Sequence, residues 1–131
     1  MPSEPVWLTA DLVIEFNELA VADTGEPHSL INAAGLESAL ARPLNYWHYG
    51  ETDAVVLAVS LLVGIGRNHP FLQGNKRCAF AAADYFLYLN GWELAHPDET
   101  DFADLIADVI TGNASEARLA EALWDHVVPV G

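Results

Sequence analysis

The chain has 131 residues and a formal net charge of −14, from 19 acidic against five basic side chains, with 52% hydrophobic and 18% charged residues. That balance excludes a disordered tail, and it repels the phosphates of nucleic acid and of anionic membrane surfaces, so neither is an expected partner. Its length suits one domain spanning residues 1–131.

Helical spacing of apolar residues dominates. Leu12, Val13, Phe16, Leu19 and Ala20 form one stripe behind a cap at Thr9, predicting a first helix that closes near Gly25. A short second helix is expected from about Asn32 to Ala41, with Leu36 and Leu40 on one face and Pro43 stopping it. Residues Arg42 to Glu51, R-P-L-N-Y-W-H-Y-G-E, lack a helical period and predict an extended or hairpin segment. From Asp53 to about Arg67 the chain is apolar nearly all round, as in a central buried helix. After a loop at Asn68 to Gly74, a fourth helix runs from Asn75 to about Leu89, with Gly91 as its left-handed stop. Two more are expected, from about Glu99 to Thr111 and, capped by Ser115, from Glu116 to about Val127. The expected architecture is therefore an all-α bundle of about six helices with one short extended element.

A single cysteine, Cys78, excludes an internal disulfide framework and a multi-cysteine zinc site, and its place after the loop reads as small core packing. The apolar run Ala54 to Ile65 is too short for a bilayer, and Met1 to Glu4 lack the basic start of a signal peptide, so a cytoplasmic protein is expected. His28, His48, His96 and His126 read as structural histidines, and the acidic stretch Asp98 to Asp108 as the wet face of a helix or a surface for a basic partner segment.

Three of the five cationic side chains, Arg67, Lys76 and Arg77, flank a loop that contains His69, Gly74 and Asn75 and opens into a helix. Unpaired N–H groups and the positive end of a helix dipole favour an anion there. Gly74 permits close backbone approach, while Asn75 can orient the turn or donate to a phosphate oxygen. Lys76 and Arg77 add charge-assisted bonds. His69 is a group that can take a proton from a hydroxyl attacking phosphorus, and Phe71 is placed to anchor the loop in the core. Tyr46, Trp47 and Tyr49 read equally as packing or as a partner-binding segment.

The stretch H-P-F-L-Q-G-N-K-R at residues 69–77 resembles the signature of the Fic/Doc (Fido) superfamily, His-x-Phe-x-acidic-Gly/Ala-Asn-Gly/Lys-Arg. Lys76 resembles the Doc branch, the "death on curing" toxins of toxin–antitoxin modules, and G-L-E-S-A-L-A-R-P at Gly35 to Pro43 and F-L-Y-L-N-G-W at Phe86 to Trp92 extend the likeness. The resemblance implies a Fido-type helical fold, with His69 as the catalytic base and Lys76 and Arg77 acting in catalysis. Arg67, Gly74, Asn75, Lys76 and Arg77 would hold the phosphates of ATP, with Mg2+ as the accompanying ion. It further implies transfer of a phosphate, or of AMP as in Fic members, to a hydroxyl of a target protein such as translation elongation factor Tu. The segment holding Tyr46, Trp47, His48 and Tyr49 falls where the family has a flap that pairs with a target or antitoxin peptide by strand addition.

Two departures stand out. Gln73 occupies the position of the metal-binding acidic residue, so Mg2+ would lean on the substrate phosphates. This favours, as the alternative, a Fido-fold nucleotide- or peptide-binding module with weakened turnover. Phe80 replaces the second arginine of AMP-transferring members, and no Ser/Thr-x-x-x-Glu inhibitory helix is found, which implies a separate antitoxin.

Overall fold

The computed structural model describes residues 3–95 and 99–131, without the side chains of residues 99–101. Met1, Pro2, His96 and Asp98 lie outside the described residues, and with them the structural role expected for His96. Six α-helices and two short strands are present in the described chain.

Helix α1 (Ala10–Ala22) begins where the Thr9 hydroxyl accepts a hydrogen bond from the Leu12 N–H at 3.3 Å. Its buried face runs through Val13, Asn17 and Val21, four apart. Leu19, expected in the apolar stripe, is 67% exposed, because it lies round the helix from that face.

Helix α2 (Ala33–His48) corrects the sequence reading. It is capped by Asn32 and continues through Pro43, so Arg42 to Glu51 is neither a hairpin nor extended for most of its length. A proline inside a helix costs about 3 kcal/mol, and the contacts on either side of it offset that cost. Ala39 lies so close to α3 that a Cβ added at Gly64 would stand 3.0 Å from its Cα. Arg42 donates to the Ser60 carbonyl at 2.7 Å and pairs with Glu116 at 3.0 Å, and Trp47 meets Trp7 edge-on at 6.5 Å. Tertiary packing thus overrides local propensity.

Helix α3 (Ala54–Asn68) is buried from Leu57 to Gly66 without a break, and is the central element that the sequence predicts. Asp53 starts it by accepting from the Val55 and Val56 N–H groups, and its other oxygen accepts from the Trp124 indole at 2.9 Å. Helix α4 (Asn75–Leu89) packs on α3, buries Cys78, Ala79, Ala82 and Ala83, and stops before Gly91 at φ 92°.

Helix α5 (Glu99–Thr111) buries Phe102, Ile106 and Val109 and exposes Asp104 and Asp108. Helix α6 (Glu116–Trp124), capped by Ser115, ends three residues short of the expected Val127. Val127–Pro129 instead forms strand β2, antiparallel to β1 (Trp92–Leu94) with Trp92 opposite Pro129. β-branched valines and a proline suit a short edge pairing better than a helical turn. The extended element therefore lies at Trp92–Leu94 and Val127–Pro129, away from the site predicted for it. Among the described residues no helix is long and apolar enough to cross a membrane.

Candidate functional site

Helix α3 hands over to α4 through a six-residue turn whose first residue is strained. His69 caps α3 at φ 46°, the one non-glycine with a positive φ among the described residues. Glycine normally fills such a position, and a side chain there costs roughly 1–2 kcal/mol, so its presence points to use rather than packing.

Four bonds hold the turn against its neighbours. The Pro70 carbonyl accepts from the Ile31 and Asn32 N–H groups at 2.8 and 3.0 Å, and the Leu72 N–H donates to Ser29 at 2.9 Å. Asn17 in α1, wholly buried, donates to the Gln73 carbonyl at 2.8 Å and accepts from His28 Nδ1 at 2.8 Å. Phe71 is fully buried, with its ring 6.0 Å from that of His28. Gly74 sits at φ 74°, and a Cβ there would meet Val21 at 3.1 Å and Asn17 at 3.2 Å. Both conformation and space demand glycine.

Gly74 leaves α4 without a side-chain cap, and the first helical bond is from the Cys78 N–H to the Gly74 carbonyl at 2.9 Å. The N–H groups of Asn75, Lys76 and Arg77 therefore line the helix mouth without intrahelical partners. His69, Leu72, Gln73, Gly74, Asn75, Lys76 and Arg77 surround one 420 Å³ pocket at this mouth. An adjoining 440 Å³ cleft shares Lys76 and Arg77 and continues past Phe80 and Asp84 towards Ile106.

The cations differ in what engages them. Lys76 is exposed at the pocket. Arg77 donates to the Ala20 carbonyl at 2.8 Å and pairs with Glu26 at 2.6 Å, so an anion must compete with Glu26 for its guanidinium. The Thr24 hydroxyl, and after it Arg77, hold the Glu26 carboxyl below the usual carboxylate range. Arg67 does not join the pocket: its guanidinium donates to the Ile110 and Val109 carbonyls at 3.1 and 2.8 Å, closing the last turn of α5. The bonds of Asn75 orient the turn. Its amide accepts from the Phe71 N–H at 3.0 Å and donates to the Phe71 carbonyl at 2.8 Å. Its second N–H meets His69 Nδ1 at 3.1 Å.

Tyr46, Trp47, His48 and Tyr49 fall at the far end of α2 from the loop. Asn32 and Gly35 at the near end bond to Asn68, and 11–14 residues of helix beyond Gly35 span roughly 17–21 Å. Tyr46 and Trp47 are half-buried in packing, and Tyr49 is 92% exposed. The segment beside the loop is instead 29–32, where Leu30 bridges Phe71. The bonds on either side of that bridge leave the Leu30 N–H and carbonyl facing outward, as in any non-hydrogen-bonded antiparallel pair.

The donor set does not fit a protein-held Mg2+. Gln73 offers only a neutral amide, no carboxylate lines the 420 Å³ pocket, and among the described residues no three His, Cys, Asp or Glu side chains cluster.

Asn17, Glu26 and residues 29–31 escape sequence reading, and His28, read as structural, has its place beside the loop only in three dimensions. Asn17 alone leaves a trace, a polar residue between Val13 and Val21 on the buried face.

This chain belongs to the Fic/Doc family: the Fic/DOC family pattern matches residues 7–87. The chain is 37% identical over 120 residues to "Toxin Doc" of Mycolicibacterium smegmatis, covering 88% of this chain and 85% of that protein. It is 35% identical over 72 residues to "Protein kinase doc" of Escherichia phage P1, covering 55% and 56% of the two.

Proposed function

We propose that this chain is a Doc-type toxin that transfers a phosphate from ATP to a hydroxyl of a target protein and so arrests growth. The observation that carries this reading is one pocket lined by His69, the uncapped mouth of α4 and the exposed Lys76. The names of its relatives, a toxin and a protein kinase, support it.

In this reading the α4 N–H groups and Lys76 bind the phosphates, and Arg77 joins them by exchanging Glu26 for a phosphate oxygen. His69 takes the proton of the target hydroxyl as its oxygen attacks the γ-phosphorus. The bond to the bridging oxygen breaks and ADP leaves. The outward edge at Leu30, with the exposed Ile31 and Leu72 beside it, replaces the α2 end as the place where a target peptide adds as a strand. A cognate antitoxin is the expected partner, translation elongation factor Tu the expected target, and the cytoplasm the expected compartment. A second reading, a binding module with weak turnover, is favoured by Gln73 and by the Glu26 clasp on Arg77.

Incubation with Mg2+, doubly labelled ATP and elongation factor Tu, followed by mass spectrometry, separates these. A gain of one phosphate that His69→Ala abolishes supports the kinase. A gain of AMP supports the Fic-type reaction, and an unchanged target at high enzyme concentration supports the binding module.

A further inference from the structure

We propose that Asn75 dictates which nitrogen of His69 carries the proton, and that it keeps the imidazole from acting as a base until an anionic ligand fills the pocket. The inference rests on the reading of His69 as proton acceptor and adds a control to it.

The geometry leaves little choice. Asn75, only 7% exposed, grips the Phe71 peptide at both ends, accepting from its N–H at 3.0 Å and donating to its carbonyl at 2.8 Å. Turning the amide over would set N–H against NH2 and oxygen against oxygen, so its orientation is determined by the main chain. The second hydrogen of Nδ2 meets His69 Nδ1 at 3.1 Å. An amide nitrogen can only donate, so Nδ1 accepts, and the single hydrogen of the neutral ring sits on Nε2.

In that form neither ring nitrogen has an open lone pair: Nε2 carries its hydrogen, and Nδ1 is taken. His69 can offer a hydrogen bond to a ligand but cannot remove a proton from a hydroxyl. Opening the Asn75 bond changes this. The ring hydrogen is then free to exchange through water between Nε2 and Nδ1, the ring's proton count is unchanged, and in the Nδ1–H form Nε2 has the lone pair that a base needs. What opens it is a better acceptor, since a charged oxygen binds an N–H more strongly than a neutral imidazole does. Asn75 and His69 line the same pocket as Lys76, where a phosphate oxygen would arrive. Asn75 is thus a positioning residue that acts through His69.

His28 supplies an internal reference of opposite sense. Asn17 Nδ2 donates to the Gln73 carbonyl, so its oxygen faces His28 Nδ1, which must carry the hydrogen.

The test is long-range 1H–15N correlation on the full-length labelled chain at about pH 8.5, roughly two units above the ordinary imidazole value. The free protein is expected to show His69 protonated on Nε2 and His28 on Nδ1, with a scalar coupling across the Asn75–His69 N–H···N bond. Saturation with a non-hydrolysable ATP analogue and Mg2+ is expected to abolish that coupling and to populate the Nδ1–H form of His69. Asn75→Asp, whose carboxylate still accepts from Phe71 but must also accept from Nδ1, should show the Nδ1–H form without ligand. Should that variant fail to fold, the parent spectra carry the test. Finding Nδ1–H in the free parent, or an unchanged tautomer and coupling in the saturated complex, overturns the proposal. None of these spectra measures transfer. A chain that shows them yet modifies no target refutes the kinase reading alone, and an active kinase with Nδ1–H at rest refutes this inference alone.

Discussion

Replacing Asn17 by alanine removes the strut between α1 and the loop. The side chain is wholly buried and makes two hydrogen bonds of 2.8 Å, one to the Gln73 carbonyl and one from His28. Each is worth about 1 kcal/mol net, and a deserted carbonyl costs somewhat more. The His28 side chain is 28% exposed, so that end rehydrates in part, which pulls the sum down, while the space left beside the turn pushes it up. The balance is a loss of about 2 kcal/mol. With a urea slope of about 2 kcal/mol per molar, the unfolding midpoint should fall by about 1 M without a change of slope. The same variant should bind ATP more weakly, because Gln73 and Gly74 lose their support from below. A midpoint within about 0.3 M of the parent, or undiminished ATP affinity, would refute the reasoning.

Three further outcomes follow from the geometry. Gly74→Ala forces an L side chain into φ 74° and against Val21 and Asn17; it should cost about 2 kcal/mol in chemical denaturation, and a cost under about 0.5 kcal/mol would contradict the argument. Burial pushes the Cys78 thiol up to about 12, so the native protein should resist alkylation at about pH 8 and react only on unfolding, whereas prompt labelling would count against the placement. The Glu26 carboxyl is depressed on folding, so its contribution is full above the unfolded carboxylate value and is lost as pH falls through the folded one. The stability gap between the parent and Glu26→Gln should therefore shrink from about pH 5 downward, and a gap that widens on acidification would reverse the sign.

How legible each feature is in the sequence follows from how local its cause is. Helices α3 and α4 match expectation closely because an unbroken apolar run and the Asn75 to Leu89 pattern end at Asn68 and Gly91. The loop is legible for the same reason, since His69, Phe71, Gly74, Asn75, Lys76 and Arg77 stand within nine residues. Helix α2 is misread because Pro43 is a strong local breaker, while Gly64, Ser60 and Glu116, whose contacts support the helix around it, come from two other helices. The β1–β2 pairing joins three-residue strands more than thirty residues apart, too short for a periodic signal. Arg67 sits beside the loop in sequence but turns to α5, and Glu26 reaches Arg77 across 51 positions, so neither assignment can be made from neighbours alone.

The central claim is that the turn from His69 to Arg77 grips the phosphates of a nucleotide. Titrating the 15N-labelled chain with ATP tests it by amide shift mapping. The account predicts the largest shifts at Leu72 to Arg77 with a smaller set at Asn17 and Glu26, all lost when sodium chloride screens the cations. Saturable shifts confined to another face, or none at millimolar ATP, would contradict it.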